Sequence, residues 1–158
     1  MKKLLAVLPM LAFVLAFAEP AEAQSGHFND RSIRCSETAD GVTCTGKVSG
    51  LGGTTFEILL SADGTAEIEC TNPGGQVAPG QDADITADGS SGPQPTPRNG
   101  SFNFSVSTAE VADPQPGDPN FTCPNASWTA NIVSLDFTSC TLELYEDGNL
   151  SDTAMCSI

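Results

Sequence analysis

The chain is 158 residues long and carries twenty Asp or Glu against six Lys or Arg, a formal net charge of −14 with a single His. Such an acidic surface repels phosphate backbones and anionic headgroups, which sets aside nucleic acid as a partner and membrane insertion as a mode of action. The length argues for one domain.

The N-terminal segment reads as an address and not as part of the fold. Lys2 and Lys3 precede an apolar run from Leu4 to Ala18, and small residues stand at Ala21 and Ala23. This is the pattern of a secretory signal peptide over residues 1–23, and its apolar run is too short to span a membrane. Cleavage near Ala23 predicts a chain secreted to the periplasm or the extracellular space. The segment holds two cations and two acids, so its loss leaves the charge unchanged and Arg31, Arg34, Lys47 and Arg98 as the remaining cations. Residues 24–32 read as a flexible N-terminal arm carrying His27, and residues 33–158 as a single domain.

Within that domain the hydrophobic period is two. "TTFEILLS" puts Phe56, Ile58 and Leu60 on one side, and after an expected turn at Asp63-Gly64, "TAEIEC" turns Ala66, Ile68 and Cys70 inward. "SFNFSVST" alternates Phe102, Phe104 and Val106 with Asn103, Ser105 and Ser107. These are half-buried antiparallel strands. Between Trp128 and Tyr145, Val133, Leu135 and Phe137 share one parity, whereas Cys140, Leu142 and Leu144 share the other. A β-bulge near Thr138-Ser139, or a strand crossing between sheets, would bring both sets to one core. Eight or nine strands are predicted, at about 31–38, 42–49, 54–61, 65–71, 83–88, 101–108, 128–138, 140–146 and 150–157. Pro/Gly-rich connections at 72–81, continued at 89–100, and at 112–120 interrupt them, the first a stiff crossover at 72–81. The expected fold is an all-β, two-sheet antiparallel β-sandwich of immunoglobulin-like kind.

The cysteines are expected to staple it. Six in an exported chain suggest three disulfides. A hairpin loop at Thr38–Gly41 sets Cys35 opposite Cys44, and a hairpin turning at Gly148 sets Cys140 opposite Cys156, which leaves Cys70 for Cys123. No C-x-x-C pair is present, so the pattern does not read as a zinc site.

The stretch "DITADG" at 84–89 opens like a calcium loop, with Asp84, Thr86 and Asp88 on alternate positions before a Gly. An EF-hand needs a bidentate Glu at its twelfth position, and that position is Pro95. The commoner meaning of Asp-Gly is a hairpin turn, expected at Asp40, Asp63 and Asp147. A looser calcium site gathering Asp82, Asp84 and Asp88 is the alternative, with calcium as its cofactor.

Catalysis finds little support. His27 is the one imidazole, and paired cysteines leave no thiolate for a nucleophile. Tyr145 and Trp128 are the aromatic candidates for ligand stacking, and Trp128 starts an apolar strand, which favours the core. The Asn-x-Ser/Thr triplets at Asn99, Asn103, Asn120, Asn125 and Asn149 read as an Asn/Ser/Thr-rich surface.

"CTNPGGQVAPGQ" at 70–81, "CPNASW" at 123–128 and "VSLDFTSCTLEL" at 133–144 carry a resemblance. Over roughly residues 44 to 144 the chain resembles a family of uncharacterised secreted bacterial proteins with a C-T-N-P-G-G-x-x-A-P-G-Q loop. The resemblance implies no activity, and it supports the Cys70–Cys123 pairing because each Cys opens a shared motif. The expected function is an exported, non-enzymatic binding or structural module for an unknown protein or surface ligand, held through the Pro/Gly loops at 72–100 and 112–127. A calcium-stabilised adhesion module is the first alternative, and a small hydrolase or protease inhibitor the weaker one.

Overall fold

The computed structural model describes residues 25–39 and 41–158. The expected signal peptide and the Asp40 turn position lie outside the described residues. Ten strands run β1 (His27–Phe28), β2 (Arg34–Thr38), β3 (Gly41–Ser49), β4 (Thr55–Thr71), β5 (Val77–Pro79), β6 (Ala83–Ser90), β7 (Gln94–Pro95), β8 (Ser101–Ser107), β9 (Thr129–Glu146) and β10 (Asn149–Cys156). Among the described residues no helix is long and apolar enough to cross a membrane.

The strands form two antiparallel sheets. In the four-stranded sheet, β3 is flanked by β8 on one side and takes β1 and then β2 along the other. In the six-stranded sheet, β10 pairs β9, β9 pairs β4, and the far side of β4 is lined in turn by β7, β6 and β5. Alternation explains the burial. Phe56, Ile58, Leu60 and Ala62 from β4 and Leu142 and Leu144 from β9 face Val42, Cys44, Val48, Phe104 and Val106 from the other sheet, and all are buried. Phe28 and Phe104 meet edge to face at 5.7 Å, and Phe56 and Phe102 lie 5.0 Å apart. A smaller cluster of Ile68, Cys70, Ala83, Cys123 and Ala130, packed by Phe121 and Trp128, closes the end of β4.

All three disulfides pair as expected: Cys35–Cys44, Cys70–Cys123 and Cys140–Cys156. The first and third join residues directly opposite each other in the β2–β3 and β9–β10 ladders. The parity slip in β9 is a bulge. Asp63 pairs Ser139 and Gly64 pairs Phe137, so Thr138 is the extra residue. A second bulge was not foreseen. Glu67 pairs Ser134 and Ile68 pairs Ile132, which turns Val133 outward, where it is exposed, instead of into the core.

Three further expectations are corrected. Asp63-Gly64 is no turn, because β4 runs unbroken through it; the strands expected at 54–61 and 65–71 are one, and likewise 128–138 and 140–146 are one. The 72–81 segment is not a crossover. Asn72 Oδ1 accepts from the N–H of Gly74 and Gln76, closing a hairpin from which β5 returns along β4. The arm is docked and not loose: β1 pairs with β3, Phe28 is buried, and its N–H donates to Asp152 Oδ2 at 2.8 Å.

The Asp-Gly pairs separate by physical role. At β9–β10, Asp147 (φ 47°) and Gly148 (φ 81°) form the two-residue hairpin turn that the sequence predicts. At Gly64 the requirement is space, since a Cβ there would lie 2.4 Å from the Asp136 carbonyl oxygen and 2.8 Å from the Phe137 Cα. Gly64→Ala is expected to lower stability by about 1–3 kcal/mol, as overpacking against rigid backbone does, seen as a fall in the urea midpoint.

Candidate binding face

The outer face of the six-stranded sheet is built by the same alternation that fills the core. Residues of β4 and β9 that do not face inward stand in rows set by the register. Glu57 lies beside Tyr145, and Tyr145 beside Leu150. The next row runs Ser90, Leu59, Glu143 and Thr153, and the next Asp88, Ser61, Thr141 and Met155. Two shallow clefts that share Leu59 lie on this face. One of about 370 Å³ is lined by Glu57, Leu59, Pro93, Tyr145 and their neighbours. The other, of about 770 Å³, is lined by Leu59, Ser61, Asp88, Ser90, Thr141 and Glu143.

The polar groups on this face are mutually oriented. Tyr145 donates its hydroxyl to Glu143 at 3.0 Å; that bond, partial desolvation and the carboxylate's charge push the phenol pKa up. Ser90 donates to Glu57 at 2.5 Å and Ser61 to Asp88 at 2.7 Å, which leaves the carboxylates aimed along the sheet surface. Beside them, on the edge strand β10, stand apolar side chains in unusual exposure: Leu150 is 53% and Met155 83% accessible. Leu59 and Tyr145 are half-buried. An aromatic and three aliphatic groups framed by carboxylates can take up a ligand that is both basic and apolar.

Of the residues singled out in the sequence, Tyr145 belongs to this face and Trp128 to the small core cluster. Leu59, Leu150, Met155, Glu57 and Glu143 were missed. The signal that marks them is an apolar residue on the solvent-facing parity of a strand, as Leu59 is between Ile58 and Leu60. His27 lies elsewhere, its ring 3.1 Å from the Ser25 carbonyl oxygen.

The expected calcium residues are not gathered. Asp84 and Asp88 lie on β6 four residues apart, paired with Thr65 and Ser61. Four residues of extended strand separate their backbones by about 13 Å, too far for carboxylates to share one ion. Asp82 precedes the strand, and Asp63, opposite Thr86, accepts that hydroxyl at 2.7 Å. Among the described residues, the one group of three or more potential ligand side chains that converge is Cys35, Cys44, Cys140 and Cys156. Thermal melts in chelator and in millimolar calcium are therefore expected to share one midpoint, since binding confined to the folded state would raise it.

Two adjacent carboxylates serve the fold. Glu146 is fully buried, and its oxygens accept from the N–H of Gly26, Gly52 and Gly53 and from Ser151 Oγ. Burial pushes its pKa up, but the Ser151 hydroxyl and these backbone donors outweigh it and hold the group below the usual range. This one side chain ties the N-terminal segment, the β3–β4 connection and β10 together. Asp147 accepts from the Thr54 hydroxyl and from the N–H groups of Thr54 and Thr55, which hold its pKa down to about 2. A depressed folded-state pKa means stability that is present above the ordinary carboxylate value and lost as pH falls toward the folded one. Asp147→Asn, which keeps a residue tolerant of positive φ, should lower Tm at neutral pH, and the gap from the parent should close between about pH 4 and pH 2.

No protein-family model matches the chain, and no curated protein matches it in sequence. Among solved structures it is similar to a glycosyl hydrolase family 2 member from Bacteroides cellulosilyticus, at 11% identity and a TM-score of 0.32, over 85% of this chain and 14% of that one. It is also similar to a β-glucuronidase from Bacteroides uniformis, at 12% identity and a TM-score of 0.31, over 83% of this chain and 14% of that one. The chain thus spans about one seventh of the length of these enzymes.

Proposed function

We propose that this is an exported, non-enzymatic binding module that holds a basic, partly apolar protein surface on the outer face of its six-stranded sheet. One observation carries the reading: Leu59, Tyr145 and Leu150 stand in adjacent rows of a solvent-facing sheet beside Glu57 and Glu143, and the row beyond adds Asp88 and the exposed Met155. Burying these apolar groups supplies affinity. A Lys or Arg side chain seated over Tyr145 gains from the ring and from the flanking carboxylates. The overall charge of −14 favours the same partner class by steering its encounter. Three disulfides suit an oxidising compartment, which supports export. This face replaces the Pro/Gly loops as the proposed surface because β5, β6 and β7 draw much of 72–100 into the sheet.

The test is a peptide array sampling basic and apolar sequences, read with the parent protein and with Tyr145→Ala and Glu57→Lys. Retained peptides should be rich in Lys, Arg and aliphatic residues, and their binding should weaken with added salt. Each substitution should cost roughly tenfold or more in affinity, as central aromatic and charged interface groups do. An array without binders, or binders indifferent to both substitutions, overturns the reading.

A further inference from the structure

Two disulfides from opposite sheets approach each other between the sheets, near their β2 and β10 edges. The Sγ atoms of Cys35, Cys44, Cys140 and Cys156 all lie within 4.8 Å of one another. They come from four strands, β2 and β3 of one sheet and β9 and β10 of the other. Cys44 and Cys140 are buried, while Cys35 and Cys156 are half-buried and open the cluster to one side. Each pair is placed by its own ladder, Cys35 opposite Cys44 and Cys140 opposite Cys156, through backbone bonds that do not depend on the S–S bond. Val42, Val48, Leu142 and Leu144 hold the two ladders face to face.

We propose that these four cysteines form a second, alternative site: in the reduced protein they bind one soft divalent metal ion, such as Zn²⁺, as a tetrahedral tetrathiolate. Four thiolates on zinc at about 2.3 Å stand about 3.8 Å apart. Opening each S–S bond lets its two sulfurs part to that distance, and the longer contacts across the sheets contract by about 1 Å or less to reach it. Thiolate sulfur selects zinc and its soft congeners over calcium or magnesium.

The steps balance with an external reductant. Two dithiol molecules reduce the two disulfides, giving four thiols and two oxidised dithiols, with four electrons and four protons transferred. The metal then displaces four protons and leaves a dianionic centre. Disulfide and metal are mutually exclusive occupants of one position, because a disulfide sulfur is a poor ligand whereas a thiolate is a strong one. The site is thus available to the chain before oxidation, or after it meets a dithiol reductase.

The experiment uses the purified protein reduced with a water-soluble phosphine, which takes oxygen from water for each disulfide opened and competes less for metal than a dithiol. Cobalt(II) is titrated in without oxygen, absorbance is followed, and far-ultraviolet circular dichroism reports the sheet. One equivalent of cobalt should give an intense sulfur-to-metal charge-transfer band and the visible bands of tetrahedral cobalt, both erased by one equivalent of zinc. Cys70→Ser with Cys123→Ser should leave this spectrum intact, and Cys44→Ser with Cys140→Ser should abolish it. No tetrahedral spectrum, whether or not the reduced chain keeps its sheet signal, overturns the proposal. So does a spectrum that survives loss of Cys44 and Cys140 or disappears with Cys70 and Cys123.

Discussion

The pairing of β4 with β9 is the constraint on which the molecule turns. These strands of 17 and 18 residues pair from Phe56–Glu146 to Thr71–Thr129. Every other element of the six-stranded sheet docks on one of them. A ladder this long cannot keep one side-chain parity by chance. The bulges at Thr138 and Val133 re-phase β9 so that Phe137, Cys140, Leu142 and Leu144 all reach the core. A one-residue slip without such a bulge would move the whole apolar set of one half to the solvent side.

The same ladder creates the candidate binding face. Because side chains alternate at every residue, packing Ile58, Leu60, Leu142 and Leu144 inward obliges Glu57, Leu59, Glu143 and Tyr145 to stand together outside. Fold stability and the proposed interaction are two sides of one register. At its end the ladder is secured by a buried charge. Glu146 draws donors from two distant segments, at Gly26 and at Gly52-Gly53, and from Ser151 across the hairpin into one carboxylate. Removing such an acceptor would leave buried N–H groups unsatisfied, each at a cost of about 1–3 kcal/mol. This explains why an acid occupies a core-facing position between Tyr145 and Asp147, and why residues that sequence composition marks as a loose arm are held in place.

Asp-Gly shows how one dipeptide acquires different meanings. Gly148 serves a left-handed turn, Gly64 makes room for the β9 backbone at the bulge, and Gly89 admits the Ser107 carbonyl oxygen from the facing sheet, 2.1 Å from where a Cβ would stand. Local sequence cannot separate a glycine needed for its φ from one needed for its missing side chain. The first is a property of the chain itself, and the second belongs to whatever packs against it. Consequently Asp63 and Asp88 lie within strands, where they accept hydroxyl hydrogen bonds from Thr86 and Ser61 and do not close turns.

What the amino-acid order determined by itself was everything that depends on neighbours in the chain. Alternation dictated strands and which residues enter the core, Asp147-Gly148 dictated one hairpin, and the spacings of Cys35 with Cys44 and Cys140 with Cys156 dictated two of the staples. The parity slip near Thr138 announced its bulge for the same reason. Tertiary structure decided what depends on the facing partner. It fused four expected strands into two, turned Val133 outward, docked the segment before Cys35 through Asp152 and Glu146, and placed Leu150 beside Tyr145 and Met155 beside Thr141. It also brought two disulfides from separate hairpins close together. None of these follows from local pattern, because each is fixed by register between segments far apart in sequence, and register is chosen by the burial of the whole sheet at once.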